Sequence, residues 1–354
     1  MAACSKPAPS QIEFVLGTIC KVNLYESGNN RLYSRIFSRV REIDRTMTAF
    51  AGEFQELTSS GGNFDPDSKT AAVYRSAIDS LTSGVVAINR QAGVEPVKVR
   101  ADLIDLLETA LHYAELSGGS FDPTIGPLVK LWGIGTDSQH IPGDEEIAAA
   151  LALVDWRDLV IDREEETVFL RREGMELDLG AIAKGYAADE AVRIAREGRV
   201  KRAVFDFGGN IAVLGWRGKS GKEMLPWRIG IQDPRGKRDE YVGILPVYHS
   251  NVATSVVTSG VYERFFESDG KHYHHLLSTT TGYPVENGLL SVTIITEHST
   301  DADALSTAVF TMGYERGNTL IDSIDGAEAI FIFDDDSVQI TSGLEGIYRP
   351  NVSD

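Results

Sequence analysis

Asp303 and Thr307 stand four residues apart in the run Asp301-Ala302-Asp303-Ala304-Leu305-Ser306-Thr307. On a helix that spacing puts both on one face. A carboxylate and a hydroxyl there offer two hard oxygen ligands, the kind magnesium takes while keeping positions for water or phosphate. Ser299 or Thr300 is placed to cap such a helix. Taken alone, the segment is more simply an Asp in the first turn complementing the helix dipole, with Thr307 as filler.

A second candidate is the histidine cluster in Lys271-His272-Tyr273-His274-His275. Strand alternation puts His272 and His274 on one face and His275 on the other. Zinc would need cysteine or further closely spaced ligands, which the segment lacks. Surface histidines are the plainer reading, and a single catalytic histidine the sharper one. Leu177-Asp178-Leu179-Gly180-Ala181-Ile182-Ala183-Lys184-Gly185-Tyr186 reads as a strand end turning into a helix. Backbone donors and Lys184 there could meet a phosphate. Phe205-Asp206-Phe207-Gly208-Gly209-Asn210 is another strand end opening into glycines, ordinarily no more than a turn. Two motifs fail. Gly218-Lys219-Ser220 resembles a P-loop tail, but the first required glycine falls on Val213. No Gly-x-Gly-x-x-Gly follows a strand, so a Rossmann dinucleotide site is not indicated.

These residues need elements to position them. Glu13 to Tyr25 reads as one strand around a Gly17-Thr18 step. Leu32, Ile36, Val40, Ile43 and Met47 recur at helical spacing. Thr58 to Lys69 is loop by composition. Leu103 to Ala114 is a second amphipathic helix, stopped by Ser117-Gly118-Gly119. Phe121 to Leu128, with two prolines, reads as a rigid turn. A short helix follows over Asp144 to Val154, then strands at Leu159–Ile161 and Val168–Leu170, and a helix from Ala181 to Arg196. Short β-rich segments fill Ala203 to Val257 between Gly and Pro turns. Ser291–Thr296 is a strand, about 301 to 312 a helix, and Ala329–Phe333 and Val338–Ile340 late strands. Helices and strands mix without a βαβ rhythm. The expectation is α+β with a mixed sheet and packed helices, not a Rossmann fold.

The chain of 354 residues is 42% hydrophobic, enough for a sizeable core. It carries 34 Lys and Arg against 52 Asp and Glu, a net charge of −18 that disfavours nucleic acid as a partner. No apolar run reaches the roughly 18 residues that a membrane span needs. Of the two cysteines, Cys20 lies in an alternating apolar run and reads as a buried thiol. Cys4, in Met1-Ala2-Ala3-Cys4-Ser5, resembles a bacterial lipoprotein processing site, though no basic region and apolar core of a signal peptide precede it. Residues 1–10 are therefore expected to be a lipoprotein-type tether and residues 11–354 a single catalytic domain.

In order, the segments resemble the ApbE family of flavin transferases. The matching pieces are Gly17-Thr18, Gly118-Gly119-Ser120-Phe121-Asp122-Pro123-Thr124, Gly126-Pro127-Leu128 and Leu131-Trp132-Gly133. They continue with Asp178-Leu179-Gly180, Ile182-Ala183-Lys184-Gly185, Asp206 and Gly208-Gly209-Asn210. Thr258-Ser259-Gly260, Tyr262-Glu263-Arg264, His275, Thr281-Gly282, and Asp303-Ala304-Leu305 with Thr307 complete the series. No piece is decisive alone; the ordered series, from about residue 12 to 350, is specific.

The resemblance implies an enzyme that moves FMN from FAD onto a Ser or Thr hydroxyl of a target flavoprotein, with AMP leaving. By position, Asp303 and Thr307 would hold Mg²⁺, helped by the carbonyl of Ala181, which reverses the weighting above. His275 would stand beside the reacting phosphate or acceptor hydroxyl, suiting a base near its reference pKa of about 6.5. Phe50, Asp122, Asp178, Lys184, Asp206, Gly208, Asn210 and Ser259 would shape the FAD site. The implied partners are FAD, target flavoproteins of membrane redox complexes, and the membrane itself through a lipid on Cys4, which places the protein in the periplasm.

Three departures mark this chain. The family's Ile-Asp-Pro-Arg-Thr-Gly after the histidine is here Leu277-Ser278-Thr279-Thr280-Thr281-Gly282, without the Asp, Pro and Arg. Phe50 aligns with a position often Tyr, keeping a stacking face but losing a hydroxyl. The usual Ser/Asn-rich continuation is poorly matched across Gly52–Gly62. Two alternatives stay open: an FAD pyrophosphatase using water at the same site, and a non-catalytic FAD-binding protein.

Overall fold

The computed structural model describes residues 10–25, 27–47, 84–220, 223–237, 239–247 and 253–351. Cys4, Phe50 and the loop expected over Thr58 to Lys69 lie outside them. The chain divides into two compact units. The first comprises Met1–Val40, Lys184–Leu276 and Val285–Asp354; the second comprises Arg41–Ala183 and Leu277–Pro284. Among the described residues the α-helices are α1 (Asn30–Met47), α2 (Val85–Arg90), α3 (Ala101–Leu116), α4 (Gly126–Trp132), α5 (Asp144–Leu151), α6 (Ala183–Glu197), α7 (Ser299–Met312) and α8 (Tyr314–Asp322). None is long and apolar enough to cross a membrane.

The first unit is built on an eight-stranded sheet whose spatial order follows the chain. Its strands are β1 (Gln11–Val15), β2 (Thr18–Leu24), β3 (Ala203–Phe207), β4 (Asn210–Leu214), β5 (Ala253–Gly260), β6 (Leu289–Thr296), β7 (Glu328–Phe333) and β8 (Val338–Ile340). Every neighbouring pair is antiparallel. The class is α+β, as expected.

Glu13 to Tyr25, read as one strand, is instead a hairpin. Leu16 and Gly17 both take positive φ (58° and 66°) and reverse the chain in two residues, the geometry that matches strand twist. The unbroken apolar run hid that turn.

Alternation decides which side chains meet which layer. Val256 of β5, Ile295 of β6, and Ile330 and Ile332 of β7 pack in one core cluster with Trp227, Ile231, Leu245 and Val247. The latter four lie on strands Trp227–Gln232 and Tyr241–Val247, part of a small three-stranded sheet. Residues of the opposite parity, Ser255, Val257 and Ser259 among them, face the other side, where α7 packs on β5 and β6. α7 is buried along nearly its whole length.

In the second unit, strands Val97–Lys98, Thr167–Leu170 and Leu159–Asp162 form a small antiparallel sheet. α4 occupies part of the stretch read as a rigid turn. Pro127 sits in its first turn, where a missing N–H is harmless. Trp132 at its end is fully buried and donates its Nε1–H to the carbonyl of Gly282 at 2.8 Å.

Candidate functional site

The site in the first unit starts from the crossing of two helices. A Cβ on Gly185 of α6 would lie 2.2 Å from the carbonyl oxygen of Ser299 and 2.8 Å from Cβ of Asp303. Glycine is therefore required for α6 and α7 to approach this closely. The approach lets Asp303 Oδ2 accept the backbone N–H of Gly185 at 2.9 Å. That N–H belongs to the first turn of α6 and has no partner within its own helix. Asp303 Oδ1 faces Lys184 Nζ at 3.4 Å. Asp303 is only 3% exposed, so its charge needs such partners.

One turn further along α7, Thr307 Oγ1 lies 3.3 Å from Ser259 Oγ, which is also 2.8 Å from Ser306 Oγ. Strand parity explains this contact, because Ser259 is on the α7 side of β5. Asp303 and Thr307, four apart on one helix, share a face as expected. A carboxylate and a hydroxyl, with a lysine now offsetting the carboxylate, form a donor set that suits magnesium. Among the described residues no group of three or more His, Cys, Asp or Glu is placed to share a metal. Ala181, in the turn before α6, belongs to the second unit.

The cap on α7 differs from expectation. The helix begins at Ser299 itself, and Asp189 of α6 caps it. Its Oδ1 accepts the Ser299 N–H at 2.8 Å, and its Oδ2 accepts the Thr300 N–H at 2.8 Å and the Thr300 hydroxyl at 2.6 Å. Nothing in the sequence signalled this, since the partners are 110 residues apart.

The histidines lie where a short hairpin ends. Strands Phe265–Ser268 and Lys271–His274 pair antiparallel. His272 Nε2 meets the carbonyl of Val261 at 3.0 Å. His274 Nε2 meets the carbonyl of Val285 at 3.0 Å, and its ring packs edge-on against Phe310. Burial lowers the His274 pKa to about 4. His275 is half-buried and folded back on Arg264, with N–H donated to the Arg264 carbonyl at 3.1 Å and Nδ1 3.3 Å from the same oxygen. A carbonyl only accepts, so Nδ1 carries the proton and Nε2 holds the lone pair. Desolvation, then the nearby charge of Arg264 and Lys184, lowers the His275 pKa to about 3. The expected value near 6.5 is not met, because the surrounding protein and the two nearby cations disfavour the imidazolium.

Glu263, known from sequence only as part of Tyr262-Glu263-Arg264, belongs to the same electrostatic group. Surrounding protein pushes its carboxyl up to about 7, against the pull of Lys184 and Arg264 and with a further push from Asp303.

At the β3–β4 turn, Gly208 takes φ +65°, and a Cβ there would meet Thr18 Oγ1 at 2.4 Å. Its N–H reaches the carbonyl of Ile19 at 3.2 Å, and Asp206 Oδ1 accepts the Gly209 N–H at 3.1 Å. Asp206 and Asn210 lie on opposite faces of the sheet by register, since Asp206 pairs with Ile211 and Phe207 with Asn210. Asn210 is 2% exposed, and its Nδ2 has no hydrogen-bond partner among the described residues.

In the second unit, Asp122 is committed to its own turn. Oδ1 accepts the N–H and hydroxyl of Thr124 at 2.8 and 2.7 Å, and Oδ2 accepts the Trp156 N–H at 3.0 Å. Asp178 is half-buried; its N–H reaches the Pro123 carbonyl at 2.9 Å and its Oδ1 accepts the Gly180 N–H at 2.7 Å. The segment without the family's Asp, Pro and Arg is held internally: Thr279 Oγ1 donates to the Gly119 carbonyl, and Ser278 Oγ accepts from Thr280 and Thr281.

Fold and site together define an α+β protein with an antiparallel sheet, two crossed helices and an acid–lysine–hydroxyl cluster at their crossing. The ApbE family model matches residues 16–331, and the chain belongs to the ApbE family. It is 37% identical over 344 residues to the FAD:protein FMN transferase of Treponema pallidum (strain Nichols), covering 95% of this chain and 87% of that one. It is 38% identical over 255 residues to the protein of the same name from Klebsiella pneumoniae (strain 342), covering 72% of this chain and 76% of that one. Among solved structures, the ApbE protein of Thermotoga maritima MSB8 superposes with a TM-score of 0.76 at 31% identity, over 96% of this chain and 99% of that one. Flavin transferase ApbE from Vibrio cholerae has the same fold, with a TM-score of 0.75 at 23% identity over 96% and 98%.

Proposed function

We infer that this chain is an FAD:protein FMN transferase. The observation that carries the reading is its 37% identity, over 95% of its length, to a relative of that name. In the reaction, an acceptor Ser or Thr oxygen bonds to the phosphorus on the FMN side of FAD. The pyrophosphate bond to the AMP phosphate breaks, and the hydroxyl proton passes to a base.

His275 Nε2 is our candidate for that base. Its lone pair is free while Nδ1 is tied to Arg264. Burial is the larger cause of the low His275 pKa; an approaching pyrophosphate would offset the smaller, cationic part and to that extent strengthen the ring as a proton acceptor. Lys184 supplies positive charge beside Asp303, and Arg264 beside His275. Asp303 and Thr307 would hold Mg²⁺, which would offset pyrophosphate charge and stabilise the leaving AMP. Asp206, Gly208, Asn210, Ser259 and Lys184, all of the first unit, are the proposed contacts to FAD. The unpartnered Asn210 Nδ2 is a donor in wait for such a ligand.

The test is to incubate the protein with FAD, with and without Mg²⁺, and separate the nucleotides. Magnesium-dependent release of AMP, with FMN carried onto an added acceptor flavoprotein, supports the reading, and intact FAD with the acceptor present under all metal conditions contradicts it. For location we propose a periplasmic protein anchored by a lipid on Cys4. Expressed behind a lipoprotein signal peptide, the parent should fractionate with membranes and Cys4→Ala should not; equal fractionation of both would refute the anchor.

A further inference from the structure

α6 and α7 cap each other. Asp303, from the second turn of α7, accepts the N–H of Gly185 in the first turn of α6. Asp189, from the second turn of α6, accepts the N–H groups of Ser299 and Thr300 in the first turn of α7. Each helix therefore supplies the carboxylate that closes the other's N-terminus, where the exposed N–H groups and the dipole favour negative charge.

The two carboxylates are not equivalent. Asp303 faces Lys184 across 3.4 Å, a long contact for an ion pair, and accepts the Gly185 N–H. Asp189 accepts three hydrogen bonds of 2.6 to 2.8 Å, two of them from backbone. Were a cation to draw Asp303 away from Lys184 and Gly185, the reciprocal cap would lose one half. Asp189 would still fix the first turn of α7, and with it the positions of Asp303 and Thr307 on the next two turns.

We propose that Asp189 is a positioning residue for the cation site, holding α7 in place so that Asp303 and Thr307 present their oxygens without reorganisation when the cation binds. This rests on the reading that Asp303 and Thr307 hold Mg²⁺. Groups that bond directly to metal ligands change metal affinity by roughly 10- to 100-fold when removed; Asp189 bonds to Ser299 and Thr300 and acts one step further out, through the helix.

The experiment compares the parent, Asp189→Asn, Asp189→Ala and Asp303→Ala. Two quantities are read: the Mg²⁺ concentration giving half-maximal FAD cleavage, and Mg²⁺ binding to the FAD-free protein by calorimetry. For Asp189→Ala the expected result is a rise of up to roughly tenfold in the half-saturating Mg²⁺, with a parallel loss in calorimetric affinity. The rate at saturating Mg²⁺ should fall by a smaller factor. Asp189→Asn keeps one acceptor oxygen and should lie between; it decides the matter if Asp189→Ala does not fold. A lowered melting temperature with unchanged Mg²⁺ half-saturation and affinity would make Asp189 a purely structural cap and overturn the proposal. If the parent needs no Mg²⁺, or Asp303→Ala responds to it as the parent does, the reading beneath the proposal fails as well. Loss of response in Asp303→Ala, with none in the Asp189 variants, would sink the proposal alone.

Discussion

Asp303 Oδ2 accepts the backbone N–H of Gly185 at 2.9 Å, so a side chain of α7 closes the first turn of α6. The missing Cβ of Gly185 makes that bond geometrically available. Gly185→Ala would press a methyl group against the Ser299 carbonyl and Cβ of Asp303. Neither is the end of a flexible side chain, so the helices must separate. The expected loss is about 1–3 kcal/mol of stability, read by urea denaturation, with FAD turnover falling alongside. A variant with parental stability and turnover would show that the close approach is not needed.

Lys184 offsets the buried Asp303 carboxylate. Lys184→Met leaves that carboxylate with the Gly185 N–H but without the lysine's counter-charge. The metal-free variant should lose on the order of 1 kcal/mol or more. Added Mg²⁺ should raise its melting temperature more than it raises that of the parent, because the cation takes the place of the missing ammonium. Equal Mg²⁺ responses in the two proteins would count against competition between lysine and cation.

The two low-pKa histidines predict acid sensitivity. His274 falls to about 4 and His275 to about 3, both below the unfolded value near 6.5. Between those limits the unfolded chain binds more protons than the folded one, so their contribution is fully present above pH 6.5 and is lost as pH falls toward 4 and 3. Glu263 acts oppositely. Its pKa of about 7 lies above the unfolded value, so its contribution is lost as pH rises from near 4.5 through 7. Histidine NMR titration of the intact protein should show both rings neutral at about pH 6. A ring titrating near 6.5 would remove that histidine from the argument.

Much of the architecture could be read from apolar spacing. The spacing of Leu103 to Ala114 located α3, and alternation located β7 and β8 close to their observed ends. The first hairpin could not be read this way, because Leu16 at positive φ looks like any other apolar strand residue. α8 was missed, since its buried positions, Gly317 and Ile321, give little helical pattern. Asp303 and Thr307 were visible as a spacing, but their weight came from family resemblance. Asp189 was invisible, because a cap supplied by a distant helix leaves no local mark. Asp122 illustrates the reverse case: its motif is plain in sequence, whereas its three hydrogen bonds within the second unit appear only in three dimensions.

Asp122→Ala should accordingly weaken the fold of the second unit. It would leave the N–H groups of Thr124 and Trp156 without their acceptor, a penalty of about 1–3 kcal/mol for a buried group. Denaturation followed by Trp fluorescence and FAD binding by calorimetry separate two effects. Lost stability with retained FAD affinity makes Asp122 a turn-holding residue; parental stability with lost affinity makes it a ligand contact.

The most direct test of the central claim is intact-mass measurement of a candidate acceptor flavoprotein after incubation with this protein, FAD and Mg²⁺. The acceptor should gain one covalently attached FMN, AMP should appear in equal amount, and Asp303→Ala should produce neither. AMP and free FMN with an unmodified acceptor, across acceptors that a related transferase does modify, would contradict transfer and leave hydrolysis as the activity.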